Sequence, residues 1–468
     1  MLTYFPKYFS TRAVICYVVT LVLVSVIFIS HALPFYFMLF GFVPVCIFFL
    51  LGNRLTMDWQ KHTPRSFTKK LFITAFLIRL VYVLFIYFYY IDQTGEPHAY
   101  YPGDELLYTY IGTLLRGHKV SEFLDFLKEY NIVFSDSGYC WWLGLENLLM
   151  GTHVLPPRIV KCFIDAFSCV LMYNLAKRNF GEAVGRMTAV FCMLMPNMWY
   201  YCGVTLKETE MVFVAILFAE RADLVLHSPK IKFTGMILPG LCIIVMFTFR
   251  TALGAVMFAA LSGALILSTS KQLQTWKKIM YGSVFAVWMF ATVGVEIVQE
   301  TQELWEGRAT NQSIGYEWRA NSENGNAFAR YASATVFAPA IFTIPFSSMV
   351  ATPGQENQMM MNGANFIKNI MSSLTIFAMF ILLFSGDWRK HVLPIALTCG
   401  YLVVLVFSNF AHSERFHFPA LAFELMFAAF GVTQLKNKHK RWFVIWLVFV
   451  CVANVVWGYI KLAGRGLA

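Results

Sequence analysis

Charge is scarce in this chain. Of its 468 residues, 13% are Asp, Glu, Lys or Arg, while 58% are hydrophobic and 17% aromatic. A soluble globular domain carries about 25% charged residues, so the deficit argues against an ordinary soluble enzyme. No stretch is long and polar enough for a second globular domain. The ten cysteines include no C-x-x-C pair and sit mostly inside apolar runs. They read as small buried hydrophobes and not as a disulfide framework; only Cys140 and Cys202 fall near the expected outer side. There is no internal repeat, no inverted repeat and no low-complexity tract. The first apolar run has no small-residue cleavage site and leads straight into a second, so it is expected to be a span and not a cleavable signal.

What the chain does contain is apolar runs long enough to cross a bilayer. The expected fold is all-α: a transmembrane bundle of about 13 spans. They are placed near 13–30, 33–51, 71–91, 158–176, 187–203, 209–226, 233–249, 251–268, 279–297, 366–384, 391–409, 417–434 and 442–460. The net charge of +11 is concentrated in alternate loops. These hold Arg54 to Lys70, Lys177 to Arg186, Lys230 and Lys232, Lys271 to Lys278, Arg389 and Lys390, and Lys436 to Arg441. The positive-inside rule makes those loops cytoplasmic, with the N-terminus. Nucleic-acid binding is not needed to explain the charge. The organisation that follows is an N-terminal two-span hairpin with its loop (1–70), a core (71–297) with a first outer loop at 92–157, a second outer segment (298–365), and C-terminal spans (366–468).

In the first outer loop, "YPGDELLYTYIGTLLRG" has apolar residues at helical spacing and reads as an amphipathic helix on the outer interface, a pattern repeated by "SEFLDFLKEY" at 121–130. It opens with adjacent carboxylates, Asp104 and Glu105. Other charges gather at the outer ends of spans: Lys207 and Glu208 in "VTLKETE", Arg250 in "FTFRTALG", and His412, Glu414, Arg415 and His417 in "AHSERFHFP". Charge in apolar context is costly. Arg79 lies deeper and reads as half of a structural pair, with Asp165 as a candidate partner.

Carboxylates and cations on one face suit displacement of a lipid phosphate from a sugar. Arg and Lys would hold the phosphate as it leaves, and a carboxylate would take the proton of an attacking hydroxyl. Asp104 is also a candidate helix N-cap. Glu105 is open between a shared metal, acceptor binding and a first-turn dipole partner, and Lys207 and Glu208 also read as an interfacial ion pair. Two adjacent carboxylates make a divalent metal ion a candidate, though nothing else requires one. "YCWWLG" (139–144) offers aromatic stacking for a sugar. "NQS" at 311–313 fits a glycosylation sequon. His412 and His417 lack a partner at metal spacing.

The ordered pieces resemble the GT-C class of polytopic glycosyltransferases, which use polyprenyl-phosphate sugar donors and include aminoarabinose lipid A transferases and protein O-mannosyltransferases. The pieces are "LIRLVYVLF", "YPGDELLYTYIG", "PPRIVKCFIDAFSCVLMYNLAKRNFGEAVGRMTAVFCMLMPNMWYY", "TLKETEMVFVAILFAERA", "GMILPGLCIIVMFTFRTALGAVMF" and "ERFHFPALAFELMFAAFG". They cover about 71–268 and 391–434. The resemblance implies that Asp104 is the catalytic base and that Lys207, Arg250 and Arg415 bind the donor phosphate; Glu105 and Glu208 are candidates for support, acceptor binding or a metal. It implies an inverting transfer to a lipid, glycan or protein acceptor outside a bacterial inner membrane. The hairpin at 13–51 and the lack of a large C-terminal soluble domain depart from the class. Two other readings are an O-antigen polymerase or ligase using Arg308, Arg319 and Arg330, and a lipid or solute transporter. The apparent gathering of charge at one face argues against the transporter.

Overall fold

The computed structural model describes residues 2–228, 233–267, 338–407 and 412–467, and no β-strand occurs among them. The chain runs through α1 (Lys7–Ile27), α2 (Phe35–Lys61) and α3 (Pro64–Thr94). Three helices follow in the expected first outer loop: α4 (Gly103–Leu115), α5 (Phe123–Glu129) and α6 (Phe134–Met150). Then come α7 (Leu155–Phe180), α8 (Glu182–Leu194), α9 (Pro196–Cys202), α10 (Glu208–Leu226), α11 (Phe233–Phe249) and α12 (Thr251–Leu267). After residue 337 the elements are α13 (Glu356–Met360), α14 (Asn362–Ser385), α15 (Val392–Phe407), α16 (Glu414–Thr433) and α17 (His439–Ala463).

Among the described residues, seven helices are long and apolar enough to cross a membrane: α1, α2, α3, α7, α14, α16 and α17. Three shorter apolar helices, over 234–249, 251–267 and 392–407, lie beside them. The expected count of about 13 spans therefore gives way to a coarser statement, an all-helical bundle with these seven candidate spans. The difference has local causes. The run expected to span at 187–203 is broken at Pro196, before which Met195 is extended; proline lacks the N–H and clashes with the preceding turn. The run at 209–226 is helical but carries Glu220, Arg221 and Asp223 in its last turns. The span placed at 279–297 lies outside the described residues.

Helix α3 shows how the sequence sets an element. Thr63 caps it by accepting from the Ser66 N–H, Pro64 occupies the first turn, and Gly95 ends it at φ 81°. Its 31 residues make about 46 Å of helix, more than a hydrocarbon core of about 30 Å.

Two ends of the bundle can be told apart by their contacts. At one end the basic turns meet. Arg186 donates to the carbonyls of Trp59, Gln60 and His62; Arg178 pairs with Asp223; Asn179 meets His391; and Leu2 donates to Thr433. The other end carries α4, α5 and α6 together with the starts of α7, α10 and α16.

The N-terminal hairpin is part of the bundle. Tyr17 donates to Asn362 Oδ1 at 2.6 Å, and Asn362 Nδ2 donates to the Phe37 carbonyl at 2.9 Å. Here α2 and α14 approach so closely that a Cβ on Gly363 would sit 2.3 Å from the Gly41 carbonyl oxygen. Residues 341–352 are mostly buried without forming a helix, and Ala351 donates to the His31 carbonyl at 2.8 Å.

Arg79 and Asp165 form the expected pair, deep between α3 and α7. Arg79 also donates to the carbonyl of Cys192 at 3.3 Å. That carbonyl would normally accept from the N–H four residues on, but residue 196 is proline and has none.

Candidate functional site

Helix α4 starts immediately after Pro102, and the two carboxylates of its first turn diverge. Asp104 is not the N-cap, because Pro102 holds that position and no side chain caps the helix. Instead its Oδ2 accepts from Arg415 Nη1 at 2.5 Å, on a side chain that is 56% exposed. Glu105 turns into the protein and is buried. It accepts from Arg158 Nη2 at 2.8 Å, the Thr205 N–H at 2.6 Å and the Ala99 N–H at 3.0 Å, with His98 Nδ1 at 3.6 Å. Burial alone would raise its pKa. The bonds from His98 and the two backbone N–H groups, with the Arg158 charge, outweigh burial and bring it down to about 2.

The divergence follows from the helical turn of about 100° per residue. Glu105 shares its face with Tyr108, Ile111, Gly112 and Leu115, all buried. Gly112 is required there, since a Cβ would sit 2.8 Å from Leu143 Cγ of α6. Leu106, Leu107 and Tyr110 are exposed, which fits an interfacial helix.

The bonds to Glu105 shape the loop that precedes α10. Thr205 is held by Glu105, and Lys161 donates to the carbonyls of Val204 and Leu206. The loop ends in Lys207 and Glu208. Lys207 pairs with Asp136 of α6 and donates to the Ser135 carbonyl at 2.7 Å. Tyr108 also donates to Asp136, at 2.8 Å. Burial pushes the pKa of Lys207 down and Asp136 opposes the shift.

Glu208 is fully buried and joins two arginines. Its Oε1 accepts from Arg415 Nε, with Arg250 Nη2 at 3.5 Å. Arg250 stands at the break between α11 and α12. It also donates to the Tyr401 hydroxyl at 3.1 Å and lies 4.5 Å from the centre of the Phe416 ring.

The structure thus brings together Asp104, Arg415, Glu208 and Arg250 in one chain of contacts. Lys207 adjoins it through the peptide bond to Glu208. Glu105 stands behind the group, holding the loop. Lys207, Arg250 and Arg415 face three carboxylates, Asp104, Asp136 and Glu208. Asp136, Tyr108 and Tyr401 were not anticipated from sequence. Asp136 had a weak signal, as an acid in the first turn of an amphipathic segment.

Asp104 and Glu105 do not fit a shared metal ion, because each is engaged by a different arginine on a different side of α4. Among the described residues no group of three or more His, Cys, Asp or Glu is arranged to hold one. Trp141 and Trp142 of "YCWWLG" line an apolar cavity. The sequon and Arg308, Arg319 and Arg330 lie outside the described residues.

No protein-family model, no curated protein and no solved structure matches the chain.

Proposed function

We propose that the protein is a membrane glycosyltransferase of the GT-C kind, moving a sugar from a polyprenyl-phosphate donor to an acceptor hydroxyl on the extracytoplasmic side. The observation that supports this reading is the convergence of Asp104, Glu208, Arg250 and Arg415, from four separate segments, on one end of an apolar helical bundle. In the proposed reaction the acceptor oxygen bonds to the anomeric carbon as the bond from that carbon to the lipid-phosphate oxygen breaks, with inversion. The hydroxyl proton passes to Asp104, and the departing phosphate is held by Arg250, Arg415 and Lys207. Asp104 is the most exposed acid of the cluster, so it is the one an acceptor can reach. Its bond to Arg415 is then the contact that an arriving phosphate replaces, which frees the carboxylate as the donor docks.

The test is transfer from a radiolabelled polyprenyl-phosphate sugar in proteoliposomes. Asp104→Asn should lower turnover by about 10²–10⁴, the range for a lost general base, with donor binding retained. Unchanged turnover removes Asp104 from the mechanism.

A transporter draws support from a different observation. Lys368, His417 and Glu424 are buried together between α14 and α16. Lys368 Nζ lies 2.6 Å from His417 Nδ1 and 3.9 Å from Glu424 Oε1. With Arg79 and Asp165, they show that charge is not confined to one end of the bundle, contrary to the argument from sequence. Ionisable groups inside a bundle often mark ion pathways. Flux across the same vesicles without sugar transfer would favour that reading.

A further inference from the structure

A second cluster of ionisable side chains adjoins the loop that Lys161 holds, next to the group described above. Glu146 of α6 and Glu210 of α10 are both more than nine-tenths buried. Neither carboxylate has a close, well-aligned hydrogen bond among the described residues; the donors beside them are Trp142 at Glu146, and Lys161 with the backbone at Glu210. One cation faces them: Lys161 of α7, whose Nζ is 3.5 Å from Glu210 Oε2 but is hydrogen-bonded to the carbonyls of Val204 and Leu206. The nearby cations Arg158 and Lys207 are engaged by Glu105 and Asp136. Two carboxylates against one ammonium leave one acidic group unmatched. Burial and the neighbouring Glu210 push the pKa of Glu146 up to about 8, so Glu146 holds a proton near neutral pH. Trp142 stands beside Glu146 as a donor, and the Tyr139 hydroxyl next to them has no hydrogen-bond partner among the described residues.

A cavity of about 570 Å³ reaches this cluster at Glu210 and Trp142, with Glu146 behind its wall and Trp141, Phe213 and Phe249 completing an apolar lining. Leu124 and Val245, both exposed, form part of its edge. The cavity therefore opens on the apolar surface of the bundle. Its size falls in the range of about 300–1,000 Å³ for small-molecule pockets.

We propose that this is a binding site for an amphiphile carrying a primary ammonium group and drawn from the bilayer. The ammonium is received by Glu146 and Glu210 beside the Trp142 ring, and the attached chain lies in the cavity. An ammonium group has three N–H donors and no acceptor, which matches carboxylates left with no close hydrogen bond. It supplies the one positive charge the cluster lacks, displacing the proton from Glu146. A divalent metal would need more oxygen ligands than the two glutamates offer. A lipid-borne cation reaches the site through an apolar opening that a hydrated ion does not favour. This inference does not rest on the glycosyltransferase reading.

The test uses the full chain in nanodiscs of phosphatidylglycerol doped with phosphatidylethanolamine of the same acyl chains, reading the lipids retained by native mass spectrometry. Wild type should retain phosphatidylethanolamine over phosphatidylglycerol by about tenfold or more, the value of one charge-assisted hydrogen bond. Glu146→Gln with Glu210→Gln should abolish the preference. Val245→Trp blocks the cavity at its edge, leaves both carboxylates in place and should also abolish it, so a folding defect in the double variant does not decide the matter. Equal retention of the two lipids by wild type overturns the proposal, as does a preference that survives either change. Free ethanolamine competing as well as the lipid would overturn the assignment of the chain to the cavity.

Discussion

A single oxygen of Glu208 serves two arginines: Oε1 accepts from Arg415 Nε and lies 3.5 Å from Arg250 Nη2, on a side chain with no exposure. Two guanidinium groups at this spacing would repel each other without it. Glu208 thus allows α16 and the turn between α11 and α12 to present cations to one place.

Glu208→Ala removes the shared anion and leaves two cations facing each other in a largely buried setting. Removing one member of a buried pair costs about 3–5 kcal/mol, so the unfolding midpoint in detergent should fall clearly. Glu208→Gln keeps the shape and an acceptor oxygen, and should recover part of that loss. If Glu208 were only a surface ion-pair partner, both variants would melt within a degree or two of wild type, as a change of a few tenths of a kcal/mol implies.

Local patterns in the sequence carried much of the fold. Helical periodicity placed α4, and Pro64 and Gly95 mark where α3 starts and stops. The basic loops expected on one side meet at one end wherever they fall among the described residues. The Arg79 and Asp165 pair was also legible, since a charge that deep needs a partner. Asp136 was not, because its partner Lys207 is 71 residues away and no local rule links them. For Glu105 the helical turn of about 100° per residue separates it from Asp104, but no local rule shows that Arg158 and Thr205, 53 and 100 residues away, meet it there. The number of spans is less legible than their presence, because hydropathy registers apolar length and misses a proline break or a charged last turn.

Glu105 makes stability depend on pH in a defined direction. Its pKa is brought from an ordinary 4.5 to about 2, so the folded state holds it ionised where the unfolded state would protonate it. A group shifted this way contributes stability that is fully present above about 4.5 and is lost as the pH falls toward about 2. The thermal midpoint of wild type should therefore fall more steeply across that window than that of Glu105→Gln, which cannot titrate. At neutral pH the variant should be less stable and should lose order in the 203–207 loop. That loop's change is measurable as faster amide exchange at Thr205, whose N–H the carboxylate holds at 2.6 Å. Parallel slopes for the two proteins would show that the Arg158 and Glu105 bond adds nothing to folding.

Arg79 offers the sharpest separation between a structural and a transport role for charge inside the bundle. The guanidinium bonds Asp165 and also reaches the carbonyls of Ala75, Cys192 and Met193, so it ties α3 to α7 and α8 at the point where Pro196 interrupts the chain. Asp165→Asn leaves Arg79 with an uncompensated charge and should destabilise by about 3–5 kcal/mol. The double change Arg79→Met with Asp165→Leu removes both charges, and apolar replacements of buried pairs are often neutral or stabilising. It should recover most of the stability lost in the single variant, less the cost of the Cys192 carbonyl left without a donor, about 1–3 kcal/mol. Sugar transfer by the refolded double variant should stay near wild type if the pair only braces the helices. If the pair carries protons or ions, the double variant will be as stable as expected but inactive in a vesicle flux assay, an outcome that would move the transporter reading ahead of the transferase.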